Sequence, residues 1–296
     1  MIFVVWLVYV KSGAKLIFAI ETNAWRLMNP PKIEILPTKD GSVTLYLPTL
    51  DETYHSRHGA VCESMYVYLL RGVVDWYLMK QEVSGIRVSG LRVFEMGFGT
   101  GLNAWLLKEF SRSMELDVCY YGLEKFPLGM ELLTMVEFGF GAMAGYWKRV
   151  NGGVMDDLFV ERVGFRERWQ ELFEQEFIKL GGRSEEDFFT SKSVDEKTAD
   201  KNRGFYKFEG DVLADIERVM PSGVEVVFWD AFAPKKQPEL WSVVLFERVL
   251  ARMGEGGVLV TYTANGQVRR NLVSAGFRVE RVVGPPGKKH MLRAWK

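Results

Sequence analysis

Strand-like and helix-like segments alternate from residue 91 to the end of the chain, and this alternation limits the possible folds more than any other feature. Short apolar runs predict seven strands, at residues 92–96, 118–123, 206–208, 224–229, 257–263, 277–283 and 291–295. Apolar residues at helical spacing predict helices at 102–113, 128–138, 212–219, 239–253 and 267–275. Such alternation is typical of an α/β domain in which helices cover both faces of a mostly parallel sheet.

The connection between the last two predicted strands sets the direction of the final strand. It consists of Gly284-Pro285-Pro286-Gly287, which is too short for the helical crossover that parallel neighbours need. The two strands should therefore form an antiparallel hairpin. The expected architecture is a Rossmann-like, seven-stranded, mostly parallel sheet whose last strand is antiparallel.

Residues 28–80 have a different pattern, which predicts an N-terminal β-rich extension that ends in a helix. Alternating apolar and polar residues at 33–35 and 43–47 flank a turn-forming sequence. Between Glu63 and Leu78, apolar residues recur at helical spacing and predict an amphipathic helix.

Two further segments differ from the rest in composition. Within the sheet domain, predicted at 81–296, residues 183–203 are polar and charged, which predicts an inserted mobile loop. The apolar run Met1–Val10 is followed by lysines before it reaches the roughly 20 residues of a membrane span, and no basic segment precedes it as in a signal peptide. We therefore expect residues 1–27 to reflect a start codon assigned too early, and we expect no membrane attachment.

The composition excludes several classes of protein. Lysine and arginine together number 38 and are balanced by 38 acidic residues, so the chain does not bind nucleic acid through bulk charge. Two cysteines exclude a disulfide framework and fit a reducing compartment, so we expect a cytoplasmic protein. Three histidines and no Cys-x-x-Cys pair leave no metal-binding spacing.

Three glycines, Gly97, Gly99 and Gly101, lie between the first predicted strand of the domain and the helix that follows. Glycine permits a sharp turn and lets a ligand approach the backbone closely. The spacing differs from the Gly-x-Gly-x-x-Gly of dinucleotide sites, but the carboxylate of S-adenosylmethionine can also use the free N–H groups of a helix. On its own, the loop is compatible with several nucleotide cofactors or with a turn that binds nothing.

Two acidic residues follow the next two strands. Glu124 ends the strand after the glycine loop, where a carboxylate can accept hydrogen bonds from both ribose hydroxyls of a nucleoside. Together with the glycines it indicates a nucleoside cofactor. Asp211 follows the third strand and has two interpretations, a contact to the adenine amino group or a plain helix cap.

Asp230 follows the buried strand 224–229, so it should emerge in the crevice at the carboxyl edge of the sheet, where ligands bind in open α/β folds. A carboxylate beside a reactive methyl group can orient an amine and help to remove its proton. The alternative is a helix cap, and here we favour the catalytic interpretation.

Three basic pairs complete the candidates: Lys235 and Lys236, Arg269 and Arg270, and Lys288 and Lys289. The first two pairs should lie near the carboxyl edge of the sheet, where they could contact phosphate groups. Without further information, ordinary surface charge is the better explanation.

The glycine loop and the segments around Glu124 and Asp230 resemble the MnmC-type tRNA methyltransferase domain. The similar runs are Glu95-Met96-Gly97-Phe98-Gly99-Thr100-Gly101-Leu102-Asn103, Leu123-Glu124-Lys125-Phe126-Pro127-Leu128 and Asp230-Ala231-Phe232-Ala233-Pro234-Lys235-Lys236-Gln237-Pro238-Glu239-Leu240-Trp241. Shorter similar segments, among them Tyr54-His55-Ser56 and Glu63-Ser64, extend the resemblance over residues 33–296, apart from 183–203.

The resemblance implies a class I S-adenosylmethionine-dependent methyltransferase fold and an activity. The activity is methyl transfer from S-adenosylmethionine to the exocyclic amine of 5-aminomethyl-2-thiouridine at the tRNA wobble position. The resemblance assigns the glycine loop, its flanking residues Glu95 and Asn103, Glu124 and Asp211 to the cofactor, and Asp230 to the amine. The resemblance also implies that the three basic pairs contact tRNA.

Many members of this family are fused to an FAD-dependent oxidoreductase that first removes a carboxymethyl group. The present chain ends at Lys296, directly after the last predicted strand, so we expect a stand-alone methyltransferase without flavin or metal. Separate enzymes would then supply the aminomethyl precursor. An NAD-dependent Rossmann oxidoreductase and a non-catalytic tRNA-binding protein remain alternatives.

Overall fold

The structure is a computed structural model, and it describes residues 33–85, 88–129, 132 and 204–296. The predicted segments at 1–27 and 183–203, and most of the predicted helix at 128–138, lie outside the described residues. No helix in the described ranges is long and apolar enough to cross a bilayer.

A seven-stranded sheet forms the centre of the fold and confirms the predicted architecture. Its strands are β4 (Gly90–Met96), β5 (Asp117–Glu124), β6 (Gly204–Glu209), β7 (Val224–Trp229), β8 (Met253–Thr261), β9 (Arg278–Val283) and β10 (His290–Trp295). Their order across the sheet is β6-β5-β4-β7-β8-β10-β9. Only β10 runs antiparallel to its neighbours, and it pairs with both β8 and β9. From β4 the chain first builds the sheet outward through β5 and β6, and it then returns to add β7 and β8 on the other side of β4. This change of direction creates a crevice at the carboxyl ends of β4 and β7.

The helices that follow the strands are α2 (Leu102–Ser113), α3 (Val212–Val219), α4 (Val243–Arg252) and α5 (Gly266–Ser274). The helix predicted at 239–253 is interrupted, because a 3-10 turn at Pro238–Trp241 ends where Ser242 adopts an extended conformation. Ser242 instead caps α4, and its side chain accepts a hydrogen bond from the backbone N–H of Leu245.

The N-terminal extension contains a second, three-stranded antiparallel sheet made of β1 (Glu34–Pro37), β2 (Val43–Leu47) and β3 (Glu52–Thr53). The turn between β1 and β2 contains Asp40, which is buried. One carboxylate oxygen of Asp40 accepts from the backbone N–H of Ser42, and the other accepts from the N–H of Cys62. The turn therefore holds the start of the next helix against the small sheet.

That helix, α1, is α-helical over Ala60–Ser64, π-helical over Met65–Val74 and α-helical again over Asp75–Ser84. The predicted helix is present, but its first half is not amphipathic, because every residue from 61 to 70 is buried. Gly72 lets α1 approach the sheet closely: a Cβ at this position would lie 3.0 Å from Val260 and 3.4 Å from Phe228. The extension predicted at 28–80 and the sheet predicted at 81–296 thus share one core on this face.

Candidate active site

The glycine loop between β4 and α2 adopts the conformation that its sequence predicts. Gly97, Gly99 and Gly101 all have positive φ angles, of 88°, 53° and 77°. A Cβ at Gly97 would lie 2.3 Å from the carbonyl oxygen of Asp230, so the loop touches the end of β7. The start of α2 has no side-chain cap, which leaves backbone N–H groups free for a ligand carboxylate.

The N-terminal extension supports this loop from the other side. A Cβ at Gly99 would lie 3.2 Å from the ring of Tyr54. His55 Nε2 and Thr100 Oγ1 share a hydrogen bond of 2.7 Å. Burial lowers the pKa of His55 to about 4, so its ring is neutral at physiological pH.

Glu124 lies at the end of β5 and is half-buried. Its Oε2 accepts a hydrogen bond of 2.9 Å from the backbone N–H of Gly99, and its Oε1 accepts one of 2.8 Å from the N–H of Phe126. Each oxygen keeps a second lone pair for a ligand hydroxyl. The predicted ribose contact is thus compatible with the geometry and stays a prediction.

Asp230 emerges at the end of β7, as the sequence predicts, and both of its carboxylate oxygens are fixed. Oδ1 accepts a hydrogen bond of 2.6 Å from the hydroxyl of Tyr68, and Oδ2 accepts one of 2.9 Å from Nδ2 of Asn103. Burial raises the pKa of Asp230 to about 7, against the two donors, and the nearby Glu63 adds to the increase. A carboxylate with this pKa can exchange a proton near neutral pH.

Behind Asn103 lies a buried polar cluster that sequence reasoning did not predict. Nδ2 of Asn103 also donates a hydrogen bond of 2.6 Å to Glu95, and the hydroxyl of Tyr120 donates to the other oxygen of Glu95. Burial raises the pKa of the Glu95 carboxyl well above its usual range. Glu95 has no exposed surface, which corrects the prediction of a direct cofactor contact. It orients Asn103 instead.

Three aromatic side chains hold the loop after Asp230. The hydroxyl of Tyr262 donates to the carbonyl oxygen of Ala231 at 3.0 Å. Nε1 of Trp241 donates to the carbonyl oxygen of Phe232, also at 3.0 Å. Tyr54 packs edge-on against the Phe232 ring, with 5.3 Å between the centroids. The backbone that carries Asp230 is therefore fixed on several sides.

Lys288, one of the six predicted tRNA contacts, is only partly exposed. Its ammonium group forms an ion pair with Glu63 and lies 4.1 Å from the centroid of the Tyr262 ring. Lys288 is also close enough to Asp230 to lower the pKa of that carboxyl. The tRNA contact predicted for Lys288 stays a prediction, because a long side chain on a hairpin loop can point either to solvent or into the site.

Asp211 caps α3, as the simpler of its two interpretations requires. Oδ1 accepts a hydrogen bond of 3.0 Å from the N–H of Leu213, and Oδ2 forms an ion pair of 2.7 Å with Lys125. Burial alone would raise the pKa of Asp211, but these two partners bring it below its usual value. The adenine contact stays a prediction.

The other five predicted tRNA contacts are exposed. They are Lys235, Lys236, Arg269, Arg270 and Lys289. Burial raises the pKa of the half-buried Glu52 of β3, and the nearby charge of Lys236 opposes this increase. Arg269 and Arg270 lie in α5, after the carboxyl end of β8. Their role in tRNA binding stays a prediction.

The arrangement fits S-adenosylmethionine as the cofactor. Side chains at the three glycines would collide with their neighbours, and Glu124 lies one strand away from the loop. The carboxylates of Glu124 and Asp230 lie at the ends of β5 and β7, on either side of β4, and negative charge at these positions suits a sulfonium cation. Gly97, Gly99, Gly101 and Glu124 would hold the cofactor.

Comparisons with known proteins show which proteins this chain is similar to. Residues 196–296 match a family model described as S-adenosyl-L-methionine-dependent methyltransferase. The tRNA 5-methylaminomethyl-2-thiouridine biosynthesis bifunctional protein MnmC of Chromobacterium violaceum is 27% identical over 250 residues, which cover 82% of this chain and 32% of that protein. The protein of the same name from Cupriavidus metallidurans is 27% identical over 274 residues, which cover 90% of this chain and 34% of its own length. The chain spans about a third of the length of these relatives.

A solved structure shares the fold. The crystal structure of MnmC2 from Aquifex aeolicus superposes with a TM-score of 0.59 at 24% sequence identity, and the match covers 90% of this chain and 71% of that one. These matches do not favour the oxidoreductase or the non-catalytic alternative. They confirm the resemblance drawn from the sequence: the chain is similar to S-adenosylmethionine-dependent methyltransferases and to the MnmC proteins, and it shares its fold with MnmC2.

Proposed function

We propose that this protein transfers a methyl group from S-adenosylmethionine to the amine of 5-aminomethyl-2-thiouridine at the wobble position of tRNA. The observation that carries the proposal is the environment of Asp230. Its carboxylate lies beside the glycine loop, its pKa is about 7, and Tyr68 and Asn103 fix its two oxygens. The similarity to the MnmC proteins, whose name includes this nucleoside pathway, supports the choice of amine.

The proposed mechanism begins with the protonation state of the amine. An alkylammonium group has no free lone pair, so it must lose a proton before it attacks. The ionised Asp230 accepts a hydrogen bond from the amine and directs its lone pair toward the crevice beside Gly97. Tyr68 and Asn103 keep the carboxylate in one orientation.

When bound, S-adenosylmethionine supplies an electrophilic methyl group on a positively charged sulfur. The new N–C bond forms as the S–C bond breaks, and the electron pair of that bond stays on sulfur. The methylated amine gains one positive charge, and the negative lining of the site stabilises it. The proton that the ammonium group loses before the attack passes to Asp230 or to solvent.

The exposed basic residues would hold the tRNA backbone. Lys235, Lys236, Arg269, Arg270 and Lys289 can neutralise phosphates without affecting the overall charge balance of the chain. A tRNA substrate would place the protein in the cytoplasm. The aminomethyl group must come from an earlier reaction, which we assign to a separate enzyme.

A methyl-transfer assay tests the proposal. The substrates are labelled S-adenosylmethionine and tRNA that carries 5-aminomethyl-2-thiouridine, and the product is identified by nucleoside mass spectrometry. Matched tRNA without the aminomethyl group is the control. We expect Asp230→Asn to lower the rate roughly 100-fold or more while S-adenosylhomocysteine still binds in calorimetry. An inactive wild-type protein, or an Asp230→Asn variant with full activity, would reject the proposal.

A further inference from the structure

Lys288 places a positive charge inside the site that the acceptor amine must enter. Its side chain is 29% exposed, and the carboxylate that it contacts, on Glu63, is 11% exposed. The Tyr262 ring lies against the same ammonium group, at 4.1 Å from its centroid. The cation is thus enclosed by an acid from α1 and an aromatic face from the end of β8.

This enclosed position is next to the reacting carboxylate. The hydroxyl of Tyr262 donates to the carbonyl oxygen of Ala231, the residue that follows Asp230. Glu63 and Lys288 both affect the pKa of Asp230, in opposite directions. A cation held by Glu63 and Tyr262 therefore lies within electrostatic range of Asp230.

We propose that Glu63 and Tyr262 form the binding subsite for the ammonium form of the acceptor amine, and that Lys288 occupies this subsite until the acceptor displaces it. The inference rests on the proposed function, since it concerns the amine of the same reaction. It makes Glu63 and Tyr262 specificity-determining residues. Lys288 becomes an internal competitor of the substrate, which differs from the tRNA contact that the sequence predicts.

The charges require that whatever replaces Lys288 is also a cation. If Lys288 left alone, the buried carboxylate of Glu63 would lose its ion pair, which is unfavourable at low dielectric. A phosphate group would be repelled by the same carboxylate. An alkylammonium group satisfies both Glu63 and the Tyr262 ring, since aromatic faces attract cations.

The acceptor has a suitable shape for this exchange. Its aminomethyl group is a short primary ammonium, as is the end of a lysine side chain. Lys288 lies on the loop that joins β9 and β10, where Gly287 has a positive φ of 87° and packs against the His58 ring. The loop therefore lies against the segment that precedes α1, the helix that carries Glu63.

The first test compares Lys288→Met with Lys289→Met, which changes the exposed neighbour on the same loop. If Lys288 competes with the acceptor, its removal should lower KM for aminomethyl tRNA by roughly threefold to tenfold, since the subsite is then free in more molecules. Lys289→Met should instead raise KM and reduce the salt dependence of tRNA binding by about one phosphate contact. Lys288→Gln serves as a second variant if methionine lowers the stability.

The second test measures binding without catalysis. The probe is the nucleoside 5-aminomethyl-2-thiouridine, which has no phosphate, titrated by calorimetry in the presence of S-adenosylhomocysteine. We expect tighter binding to Lys288→Met, weaker binding to Glu63→Gln and unchanged binding to Lys289→Met. The Tm and the affinity for S-adenosylhomocysteine show whether each variant is folded. If Glu63→Gln is not folded, Glu63→Asp replaces it.

The outcomes separate this inference from the proposed function. If wild-type protein methylates the tRNA but Lys288→Met raises KM and lowers the salt dependence, Lys288 is a phosphate contact and the inference is wrong. It is also wrong if Lys288→Met binds the nucleoside more weakly than wild type does. If wild-type protein neither methylates the tRNA nor binds the nucleoside, the proposed function fails, and the inference fails with it.

Discussion

The hydroxyl of Tyr68 donates a hydrogen bond of 2.6 Å to Oδ1 of Asp230, which joins the middle of α1 to the carboxyl end of β7. The two residues are 162 positions apart in the chain. This bond favours the ionised form of Asp230, so it opposes the effect of burial on the pKa of that carboxyl. It therefore increases the fraction of Asp230 that is ionised at neutral pH and can accept a hydrogen bond from an amine.

We predict that Tyr68→Phe shifts the pH dependence of methyl transfer upward. Loss of the donor raises the pKa of Asp230 above its present value of about 7, so less of the acid is ionised at a given pH. The rate near pH 6.5 should fall roughly threefold to tenfold, and it should recover toward the wild-type rate near pH 9. Tyr66→Phe is the matched control, because the Tyr66 hydroxyl donates to Val283 instead. An unshifted profile in Tyr68→Phe would contradict the assignment.

Glu95→Gln should leave the fold almost unchanged. Burial raises the pKa of Glu95 well above its usual range, which favours the neutral carboxyl. A neutral carboxyl would donate its own proton to the Tyr120 oxygen, and a glutamine amide can do the same without charge. We expect a change in the free energy of unfolding below about 1 kcal/mol for Glu95→Gln. Glu95→Ala should lose roughly 1–3 kcal/mol, since it leaves buried donors on Asn103 and Tyr120 unpaired. Urea unfolding measures both, and equal losses would mean that Glu95 is ionised.

Gly97→Ala should damage the site more than its backbone conformation alone explains. Gly97 and Gly85 both have positive φ angles, of 88° and 66°, so alanine at either position costs about 1–2 kcal/mol of stability. A Cβ at Gly85 meets nothing within 4 Å, whereas a Cβ at Gly97 meets the carbonyl oxygen of Asp230 at 2.3 Å. We therefore expect methyl transfer to fall on the order of 100-fold only in Gly97→Ala, because Asp230 must move. Similar rates in the two variants would show that this contact is unimportant.

Two substitutions at Asp211 distinguish its two interpretations. Asparagine is as good a helix cap as aspartate, so Asp211→Asn should keep the stability of α3, whereas Asp211→Ala should lose about 1 kcal/mol. If the carboxylate also accepts a hydrogen bond from adenine, Asp211→Asn should bind S-adenosylhomocysteine more weakly than wild type. Calorimetry measures this affinity, and unchanged binding would leave Asp211 as a cap alone.

The sheet and the glycine loop could be predicted because their signals are local. Apolar runs mark each strand, and the spacing of Gly97, Gly99 and Gly101 marks the turn that follows β4. Asp230 could be placed as well, since a polar residue directly after a buried strand lies at the carboxyl edge. The hairpin of β9 and β10 followed from the length of its connection.

The surroundings of Asp230 could not be predicted in the same way. Tyr68 and Glu63 belong to α1, and nothing in their local sequence indicates which strand end they reach. The first half of this helix is buried on nearly all sides and is partly π-helical. An apolar stripe in the sequence therefore could not show which residues face the site. The direction of Lys288 depends on a carboxylate far away in the chain, which a loop sequence does not reveal.

The burial of α1 also has a consequence for synthesis of the protein. A helix in which residues 61–70 are all buried leaves the ribosome long before Val226, Phe228 and Val260, the side chains that Gly72 packs against. At roughly 5–20 residues per second, this apolar segment waits about 10 to 40 seconds for its partners. During that time it is a natural binding site for a chaperone and a risk for aggregation. The tyrosine that orients Asp230 is thus made early and reaches its position only when the strands that carry the acid have formed.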